Sequence, residues 1–312
     1  MTDDIDLPRG LALAWGVAAA PQRGPKREMS VERIVEAAVE LADAEGLTAV
    51  SMAAVAARLG YTPMSLYRYV TAKDDLILLM QEEATGLPPE EVRTAAHWRE
   101  GLELLARAQV QAYLRHPWVL DIPISGSPTT PNSSAWMDAG LHVLAATPLE
   151  PAERLAVLLM VTGHSRWTGI VMAGYARTQR ETGATSEQVT VQEDGLYRSL
   201  ITADAYPDLR AAIDAGVFLD EGDPFAFALQ RSLDGVEAYI AGRAQGAPRH
   251  STPWEGAADP DISGDRKHRE AQKRVREAER ALGEARRAAR QTAREARERV
   301  ARGRSETATA HT

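Results

Sequence analysis

The sequence contains no cysteine, and this absence removes several kinds of chemistry. A chain without thiols forms no disulfide framework, no thiolate metal site and no cysteine nucleophile. Such a composition suits a reducing compartment, so we expect the protein in the cytoplasm. Histidine, the other common metal ligand, never recurs at the three- or four-residue spacing that brings two side chains to one metal on a helix. We therefore expect neither a metal site nor a cofactor.

Long uninterrupted apolar runs are also missing, although 44% of the 312 residues are hydrophobic. The longest run, residues 155–175, is interrupted by His164, Ser165 and Arg166. A membrane span needs about 20 mostly apolar residues, so we predict a buried core helix here and no membrane partner. The apolar stretch 11–20 follows three aspartates, whereas a secretory signal begins with positive charge. We therefore expect no export.

The sequence offers little for catalysis. GHSRW at residues 163–167 has the first glycine and the serine of a nucleophile elbow, but Trp167 stands where the second glycine belongs. No strand precedes this segment, and the elbow requires a strand, a turn and a helix in succession. A glycine-rich phosphate loop with its lysine is absent as well. We predict that the protein is not an enzyme.

Negative charge predominates overall, but its distribution along the chain is uneven. Residues 265–304 hold 15 Lys and Arg against 7 Asp and Glu, a net of +8 in a chain whose total is −8. Such asymmetry suggests a basic appendage. Val275, Leu282, Ala289 and Ala296 repeat every seven residues in it, with mostly small residues at the companion positions. A solvated, partly helical tail, a weak coiled coil and a nucleic-acid-binding arm all fit this pattern.

Apolar residues recur at three- and four-residue steps through most of the chain, and no alternating strand pattern appears. We therefore expect an all-α protein. Ser30 can cap a first helix that ends at Gly46, and Ser51 can cap a second that ends at Gly60. Further along the chain, helices are predicted over 98–115, 134–146, 151–175, 187–203 and 224–243, with loops at 121–134 and over much of 176–186.

The stretch GYTPMSLYRYV, residues 60–70, concentrates aromatic side chains in a chain with only 5% of them. Thr62 can cap a third helix, and Pro63 suits its first position, where a missing N–H costs nothing. Leu66 is predicted to point inward. A fourth helix follows over residues 72–84. Short helices joined by tight turns bury their apolar faces only by packing together, which is helix-turn-helix architecture.

Residues 30–80 resemble the N-terminal DNA-binding domain of the TetR-type transcriptional repressors. The shared pattern is a helix, a glycine followed by a serine, a helix ending in AARLG, and LYRYVTAK before the next helix. Residues 92–243 are similar, more loosely, to the C-terminal domain of the tetracycline repressor branch. That likeness lies in YLRHPW, PNSSAWMDAGLHVL and DPFAFALQRSLDGVEAYI, which begin at residues 113, 131 and 223.

The resemblance implies that the N-terminal turn of the third helix enters the DNA major groove. There Pro63 and Met64 can contact thymine methyl groups, and Ser65 can hydrogen-bond to either class of base. The resemblance also implies that Tyr69 and Lys73 contact the DNA backbone. The predicted DNA-contacting set is Thr48, Ser51, Thr62, Pro63, Met64, Ser65, Tyr67, Arg68, Tyr69 and Lys73.

Two assignments in this region remain open. Tyr67 and Tyr69 can equally be packing residues rather than DNA contacts. Residues 20–80 carry 7 basic and 8 acidic groups, so DNA binding would depend on where the positive charges lie. Among these, Arg23, Lys26 and Arg27 precede the first helix as an arm that either tracks DNA or is simply solvated.

The larger helical region has two roles if the resemblance holds. Helices 151–175 and 224–243 would pair with their copies in a homodimer, which a helix-turn-helix protein also needs in order to read two half-sites. An unknown small-molecule effector would bind within each subunit, in a pocket lined by aromatic and a few polar groups. The candidates are Trp98, Gln109, Tyr113, Trp136, Met137, Met160, His164 and Trp167, each of which can instead be core packing.

The sequence therefore predicts an effector-released transcriptional repressor that binds a pseudo-palindromic double-stranded DNA operator as a homodimer. An activator, an effector-independent regulator of the same fold, or an architectural nucleic-acid binder acting through the basic tail are the alternatives. The expected organisation is a flexible arm (1–29), a helix-turn-helix domain (30–76), an effector-binding and dimerisation domain (77–245), a linker (246–264) and a basic tail that is partly helical or disordered (265–312).

Overall fold

The computed structural model describes residues 7–17, 29–124, 126, 129–249, 262 and 265–309. Every regular element in these residues is a helix, so the all-α prediction is confirmed. The chain divides into two compact units, Met1–Pro248 and Arg249–Thr312. The first contains the predicted helix-turn-helix and effector-binding regions, and the second contains the basic tail.

The N-terminal part of the first unit, which we call the head, is a set of short helices that begin and end at local sequence signals. The Ser30 hydroxyl accepts a hydrogen bond from the Arg33 amide at 3.3 Å, and the Ser51 hydroxyl accepts one from the Ala54 amide at 3.1 Å. Gly60 adopts the left-handed conformation that ends the helix before it. The helices are α1 Arg9–Ala14, α2 Val31–Glu45, α3 Met52–Leu59, α4 Pro63–Tyr67 and α5 Lys73–Thr85.

Side chains from each of the helices α2 to α5 meet in one apolar core. Ile34, Val55, Leu66, Leu76 and Met80 are fully buried in it. Leu66 is the buried side chain of the five-residue helix α4. Its burial therefore holds α4 against the rest of the head, as predicted for this leucine.

The N-terminal segment is not the flexible arm that we expected, at least over residues 7–17. Leu13 and Ala14 of α1 pack against the core of the head, because the apolar stretch that begins here needs a partner surface. The Gly10 amide donates a hydrogen bond to Asp75 Oδ1 at 3.0 Å, in the first turn of α5. The predicted basic arm of Arg23, Lys26 and Arg27 lies outside the described residues.

The rest of the first unit is a larger helical domain. Its helices are α6 Glu90–Thr94, α7 Trp98–Arg115, α8 Pro131–Val143, α9 Pro151–Thr182, α10 Ser186–Leu200, α11 Pro207–Asp214 and α12 Pro224–Ala244. A short 3-10 turn, Pro117–Asp121, follows α7 because the proline cannot continue the helix. The structure thus contains α6 and α11 in addition to the helices predicted from the sequence.

Two helix boundaries differ from the prediction for simple reasons. Helix α8 begins at Pro131 rather than at residue 134, because proline is well suited to the first helical position. Helix α9 continues seven residues past the predicted end, to Thr182, so most of the predicted loop 176–186 is helical. Polar residues do not end a helix by themselves, and the helix stops where Gly183 takes the left-handed conformation, at φ 69°.

Close packing of α7 against α9 forms the centre of the larger domain. Gly169 allows this approach, since a Cβ atom there would lie 2.9 Å from the Tyr113 ring. Leu102, Leu105 and Val161 are fully buried in the core alongside. By length and composition α9 could also cross a membrane, but one such helix is weak evidence. One face of α9 packs against α7 and the opposite face is exposed, so the buried core helix predicted from the sequence is buried on one side only.

A charged cluster ties α7 to α12. The Arg99 guanidinium donates to Asp234 Oδ1 at 2.6 Å and to Glu237 Oε2 at 2.9 Å, and it also bonds to the Gln230 side chain at 2.7 Å. The hydrogen bond from Arg99 lowers the pKa of Asp234. These bonds fix the position of α12 on a domain that also buries Leu233.

The second unit contains one long helix, α13, over Arg266–Thr309. The tail is therefore helical over a greater length than the partly helical or disordered segment that we expected. Ion pairs along it join residues four apart, such as Lys273 to Glu277 at 3.8 Å and Arg280 to Glu284 at 3.3 Å. Pairs of this kind add modestly to helix stability.

Candidate functional site

Helix α4 presents the residues that we predicted to read DNA bases. Met64 is 75% exposed, and Pro63 and Tyr67 are also exposed, while Leu66 on the opposite side is buried. A short helix anchored by one buried leucine thus offers an apolar tip to solvent. An exposed methionine and proline can make van der Waals contact with thymine methyl groups, but they provide no hydrogen bond to a base edge.

Thr62 lies at the N-cap position of α4, but its side chain does not cap the helix as we predicted. Its hydroxyl lies 3.0 Å from the hydroxyl of Ser65, and either group can be the donor. The helix tolerates the missing cap because Pro63, at the first position, has no N–H to satisfy. The two hydroxyls belong to residues on either side of Met64 in the chain, and both can hydrogen-bond to DNA.

The remaining predicted DNA-contacting residues surround α4 in different environments. Lys73, Arg68 and Thr48 are exposed. Ser51 is half-buried, and its oxygen already accepts the bond that caps α3. Tyr69 is half-buried as well, and its ring packs against the core of the head. Tyr69 therefore packs against the core of the head and still exposes part of its side chain.

Positive charge around α4 is modest because part of it is already paired. Arg58 on α3 bonds to Glu40 on α2 at 2.8 Å, at the surface of the head. Among the described residues, Arg68 and Lys73 are exposed cations next to α4 in the chain. A surface of this kind suits a few placed phosphate contacts rather than broad electrostatic attraction.

One junction between the head and the larger domain is built on Asp43 of α2. His116 Nδ1 lies 2.8 Å from Asp43 Oδ1, and the Trp118 indole donates to the same oxygen at 2.7 Å. In the sequence, His116 and Trp118 stood out only as part of YLRHPW, one of the segments that carry the family likeness. Their pairing with a residue 73 to 75 positions away carries no local signal, so the sequence could not reveal it.

A second junction joins α5 to α8. The Asn132 amide donates to Glu82 Oε1 at 2.6 Å, and the Trp136 indole donates to the Gly86 carbonyl oxygen at 2.9 Å. Trp136, which we predicted to line an effector pocket, is buried and satisfied by this bond. Its position therefore indicates a structural tie between the reading head and the larger domain.

Polar groups meet between α7 and α9, where two predicted effector residues lie. Gln109 is buried, and its Nε2 atom donates to Thr162 Oγ1 at 3.3 Å, while its Oε1 atom has no hydrogen-bond partner among the described residues. One turn further along α7, burial raises the pKa of Tyr113, and Arg166 partly offsets this effect. Arg166 also donates to the carbonyl oxygens of Leu120 and Ile122, both at 2.9 Å.

The structure does not gather all eight predicted effector residues into one pocket. Trp98 and Met137 are half-buried against the core of the larger domain, and His164 is half-buried on α9. Trp167 is 60% exposed, and Met160, seven residues before it, lies on the same outer face of α9. In this subunit these two residues therefore point away from the interior in which we placed them.

The outer surfaces of α9 and α12 carry large apolar side chains that the described residues leave largely exposed. Leu159 is 54% exposed and Phe227 is 64% exposed, together with Leu155, Trp167 and Ile170. Apolar groups clustered on neighbouring helices mark a surface that another protein surface covers. These are the two helices for which the sequence predicted pairing between copies.

Two family profiles match the chain. The profile described as "Bacterial regulatory proteins, tetR family" matches residues 34–80, and the profile "Tetracyclin repressor-like, C-terminal domain" matches residues 90–240. Among relatives, the HTH-type transcriptional repressor DrrR1 of Streptomyces coeruleorubidus is 35% identical over 247 residues, which cover 76% of this chain and 88% of that protein.

Solved structures share the fold at lower identity. Apo ActR from Streptomyces coelicolor superimposes with a TM-score of 0.58 at 22% identity, over 72% of this chain and 100% of that one. The same protein in complex with actinorhodin gives a TM-score of 0.53 at 23% identity, over 70% and 99% of the two chains. Both matches leave more than a quarter of this chain outside the shared fold.

Proposed function

Because the chain belongs to the TetR family of bacterial transcriptional regulators, we propose that it is a repressor that binds a pseudo-palindromic operator as a homodimer and is released by a small-molecule effector. The observation that carries this proposal is the exposed tip of α4, held by the buried Leu66 and flanked by the cations Arg68 and Lys73. We expect the protein to act in the cytoplasm, where its operator DNA lies.

In the proposed complex the tip of α4 enters the major groove. Pro63 and Met64 contact thymine methyl groups, and the hydroxyl pair of Thr62 and Ser65 offers the hydrogen bonds. Arg68, Tyr69, Lys73, Thr48 and Ser51 contact the phosphates that flank the site. Contacts of the second kind position the head on the duplex without choosing a sequence.

Dimerisation follows from both the reading geometry and the apolar surface. One head reads only a short half-site, so a two-fold dimer doubles the contacts and fixes the half-site spacing. The exposed side chains of α9 and α12, among them Leu159 and Phe227, provide the surface that the second copy covers. Met160 and Trp167 belong to this surface in our proposal.

The effector site that we propose lies between α7 and α9. The unpaired Gln109 oxygen offers an acceptor, the Tyr113 hydroxyl a donor, and Arg166 a positive charge within a mostly apolar setting. ActR, which shares this fold, has been solved in complex with the small molecule actinorhodin. A ligand here would push against the turn that carries Trp118, and through Asp43 it would act on the head.

The DNA part of the proposal is tested by operator selection followed by binding measurements with variants. Lys73→Ala is expected to weaken binding to every sequence and to reduce the salt slope by about one. Met64→Ala is expected to change the preferred base where the side chain contacts DNA. Arg107→Ala, which removes an exposed charge from the larger domain, is the matched control and should leave affinity unchanged. Unchanged binding in the first two variants would contradict our placement of α4.

The effector part is tested separately with a panel of aromatic natural products that starts from actinorhodin. Gln109→Met keeps the volume of the side chain and removes its polar groups, so we expect operator affinity to persist and release by the effector to weaken. Met137→Leu, in a half-buried position against the core, is the control. If both variants respond to the effector as the parent protein does, the site lies elsewhere.

A further inference from the structure

Helix α13 lies beyond both family profiles, which end at residues 80 and 240. It is 44 residues long and strongly polar. A polar helix of this length needs either frequent ion pairs or a partner, because isolated helices gain little from propensity alone. The arrangement of its residues distinguishes these possibilities.

Small and apolar residues form one continuous stripe along α13. They recur at alternating steps of four and three, which is the heptad spacing of a coiled-coil seam. The stripe is Ala271, Val275, Ala278, Leu282, Ala285, Ala289, Thr292 and Ala296. Its two largest members are uncovered, with Val275 56% exposed and Leu282 50% exposed. The side of the helix that should be buried is therefore still open.

Charged residues follow the same seven-residue period on the opposite side. Basic residues occupy the outer positions b and f, except at Gly283, and glutamates occupy the neighbouring outer position c, except at Gln291. The basic set is Arg266, Arg269, Lys273, Arg276, Arg280, Arg287, Arg290, Arg294 and Arg297, and the acidic set is Glu270, Glu277, Glu284 and Glu298. The ion pair of Arg266 with Glu270, at 3.1 Å, belongs to this pattern. The charged residues and the apolar stripe thus repeat with the same seven-residue period.

We propose that α13 pairs with α13 of a second copy of this chain as a parallel two-stranded coiled coil through this stripe. The flanking positions support the parallel arrangement. In it Arg274 lies beside Glu279 of the partner subunit, an opposite-charge pair that the symmetry repeats. No like charges meet at the other flanking positions, where Lys267 pairs with glutamine, Arg286 with alanine, one alanine with another alanine, and Glu295 with valine.

Alanine at most seam positions buries little area, so two free helices of this sequence would associate weakly. The homodimer proposed above changes this, and the inference rests on it. Two tails joined to one dimer meet at an effective concentration in the mM range, which can raise the apparent strength of a weak contact by orders of magnitude. Within one dimer, the small area of this seam is then sufficient for the two tails to pair, whereas free tails of separate molecules stay apart.

The absence of cysteine gives a direct test in the full chain. Ala285→Cys places a single thiol on the seam, and two seam residues of a parallel pair lie within reach of a disulfide. Glu284→Cys places the thiol one residue away on the outer face and is the matched control. Under mild oxidation at low protein concentration, we expect the seam variant to form a covalent dimer at least about tenfold faster than the control.

A second variant tests whether the stripe is responsible. Adding Leu282→Glu to Ala285→Cys should slow disulfide formation to the rate of the control, because a charge then occupies the seam. Equal rates for Ala285→Cys and Glu284→Cys would overturn the proposal. A second result would also overturn it: a slow Ala285→Cys reaction together with a lower salt slope of DNA binding when Arg287, Arg290 and Arg294 are replaced by glutamine. That result would identify DNA as the partner of α13.

The failure of this inference can be told apart from a failure of the proposed function. Size-exclusion chromatography and operator binding of the same cysteine variants, kept reduced, report on the main dimer. A dimer that binds its operator without forming the disulfide contradicts only the coiled coil. A monomer that binds no operator contradicts both.

Discussion

Replacing Gly10 by alanine tests whether α1 is docked on α5 as the structure shows. A Cβ atom at Gly10 would lie 2.7 Å from Asp75 Oδ1 and 3.2 Å from the Asp75 Cα atom. The first contact is shorter than van der Waals distance and the second involves backbone, so either the carboxylate rotates away or α1 moves. Both changes weaken the hydrogen bond that the Gly10 amide donates to Asp75.

The expected change in the stability of α1 docking follows from opposing effects. Alanine is favoured over glycine within a helix by about 0.5–1 kcal/mol. Overpacking costs about 1–3 kcal/mol, and a hydrogen bond to a charged group contributes about 1.5–3 kcal/mol. The unfavourable effects are larger, so we expect Gly10→Ala to destabilise the docking of α1 by about 1–3 kcal/mol. A substitution that normally strengthens a helix would here weaken its attachment.

Hydrogen exchange of the amides in residues 9–17 measures this docking directly. We expect exchange there to accelerate by roughly one to two orders of magnitude, because each 1.4 kcal/mol corresponds to about tenfold in the opening equilibrium. Gly195→Ala is the matched control, since a Cβ atom at that exposed helical glycine meets nothing within 4 Å. Exchange at α1 that is unchanged or slower in Gly10→Ala would refute the docked position.

Further predictions concern one core residue and two titrating groups. Leu66→Ala should lower the free energy of unfolding by about 2–5 kcal/mol and abolish operator binding, whereas unchanged denaturant midpoints would contradict its full burial. The hydrogen bond to Glu193 raises the pKa of Tyr175 to about 12 from its ordinary 10, so its contribution to stability should be present below pH 10 and lost as the pH rises through about 12. Tyrosinate absorbance should show Tyr175 titrating nearer pH 10 in Glu193→Gln, and an identical titration would refute the bond. The bond from Arg99 lowers the pKa of Asp234, so the stability difference between the parent and Asp234→Asn should be present above pH 3.8 and shrink as the pH falls below it, as acid titration monitored by circular dichroism can establish.

Local signals in the sequence predicted the head well because they act over a few residues. Ser30 and Ser51 cap their helices as expected, and Gly60 ends α3. Leu66 is buried as predicted, whereas the outward position of Met64 was expected from the family resemblance. A capping residue, a glycine that ends a helix and an apolar periodicity each involve only residues within about one helical turn of one another.

Local signals do not specify which face of a helix packs against its neighbour, and this packing determines which side chains are exposed. The exposed position of Trp167 follows from which face of α9 meets α7, and nothing near Trp167 in the sequence specifies that face. An aromatic residue on an aliphatic helix is equally suited to a pocket, a core or an interface between copies. For this reason the effector residues were the least predictable part of the candidate site.

The contacts that hold the first unit together as one body share a feature that explains why sequence patterns miss them. The bond from the Trp15 indole to the Thr129 carbonyl oxygen spans 114 positions, and the bond from Trp118 to Asp43 spans 75. Each is a single indole donor meeting an oxygen that any residue type or any acidic surface position could supply. Periodicity detects helix faces because many residues repeat the signal, whereas one hydrogen bond between distant residues repeats nothing. The head and the larger domain are thus joined in part by bonds that only the folded chain brings together, and no local pattern in the sequence predicts them.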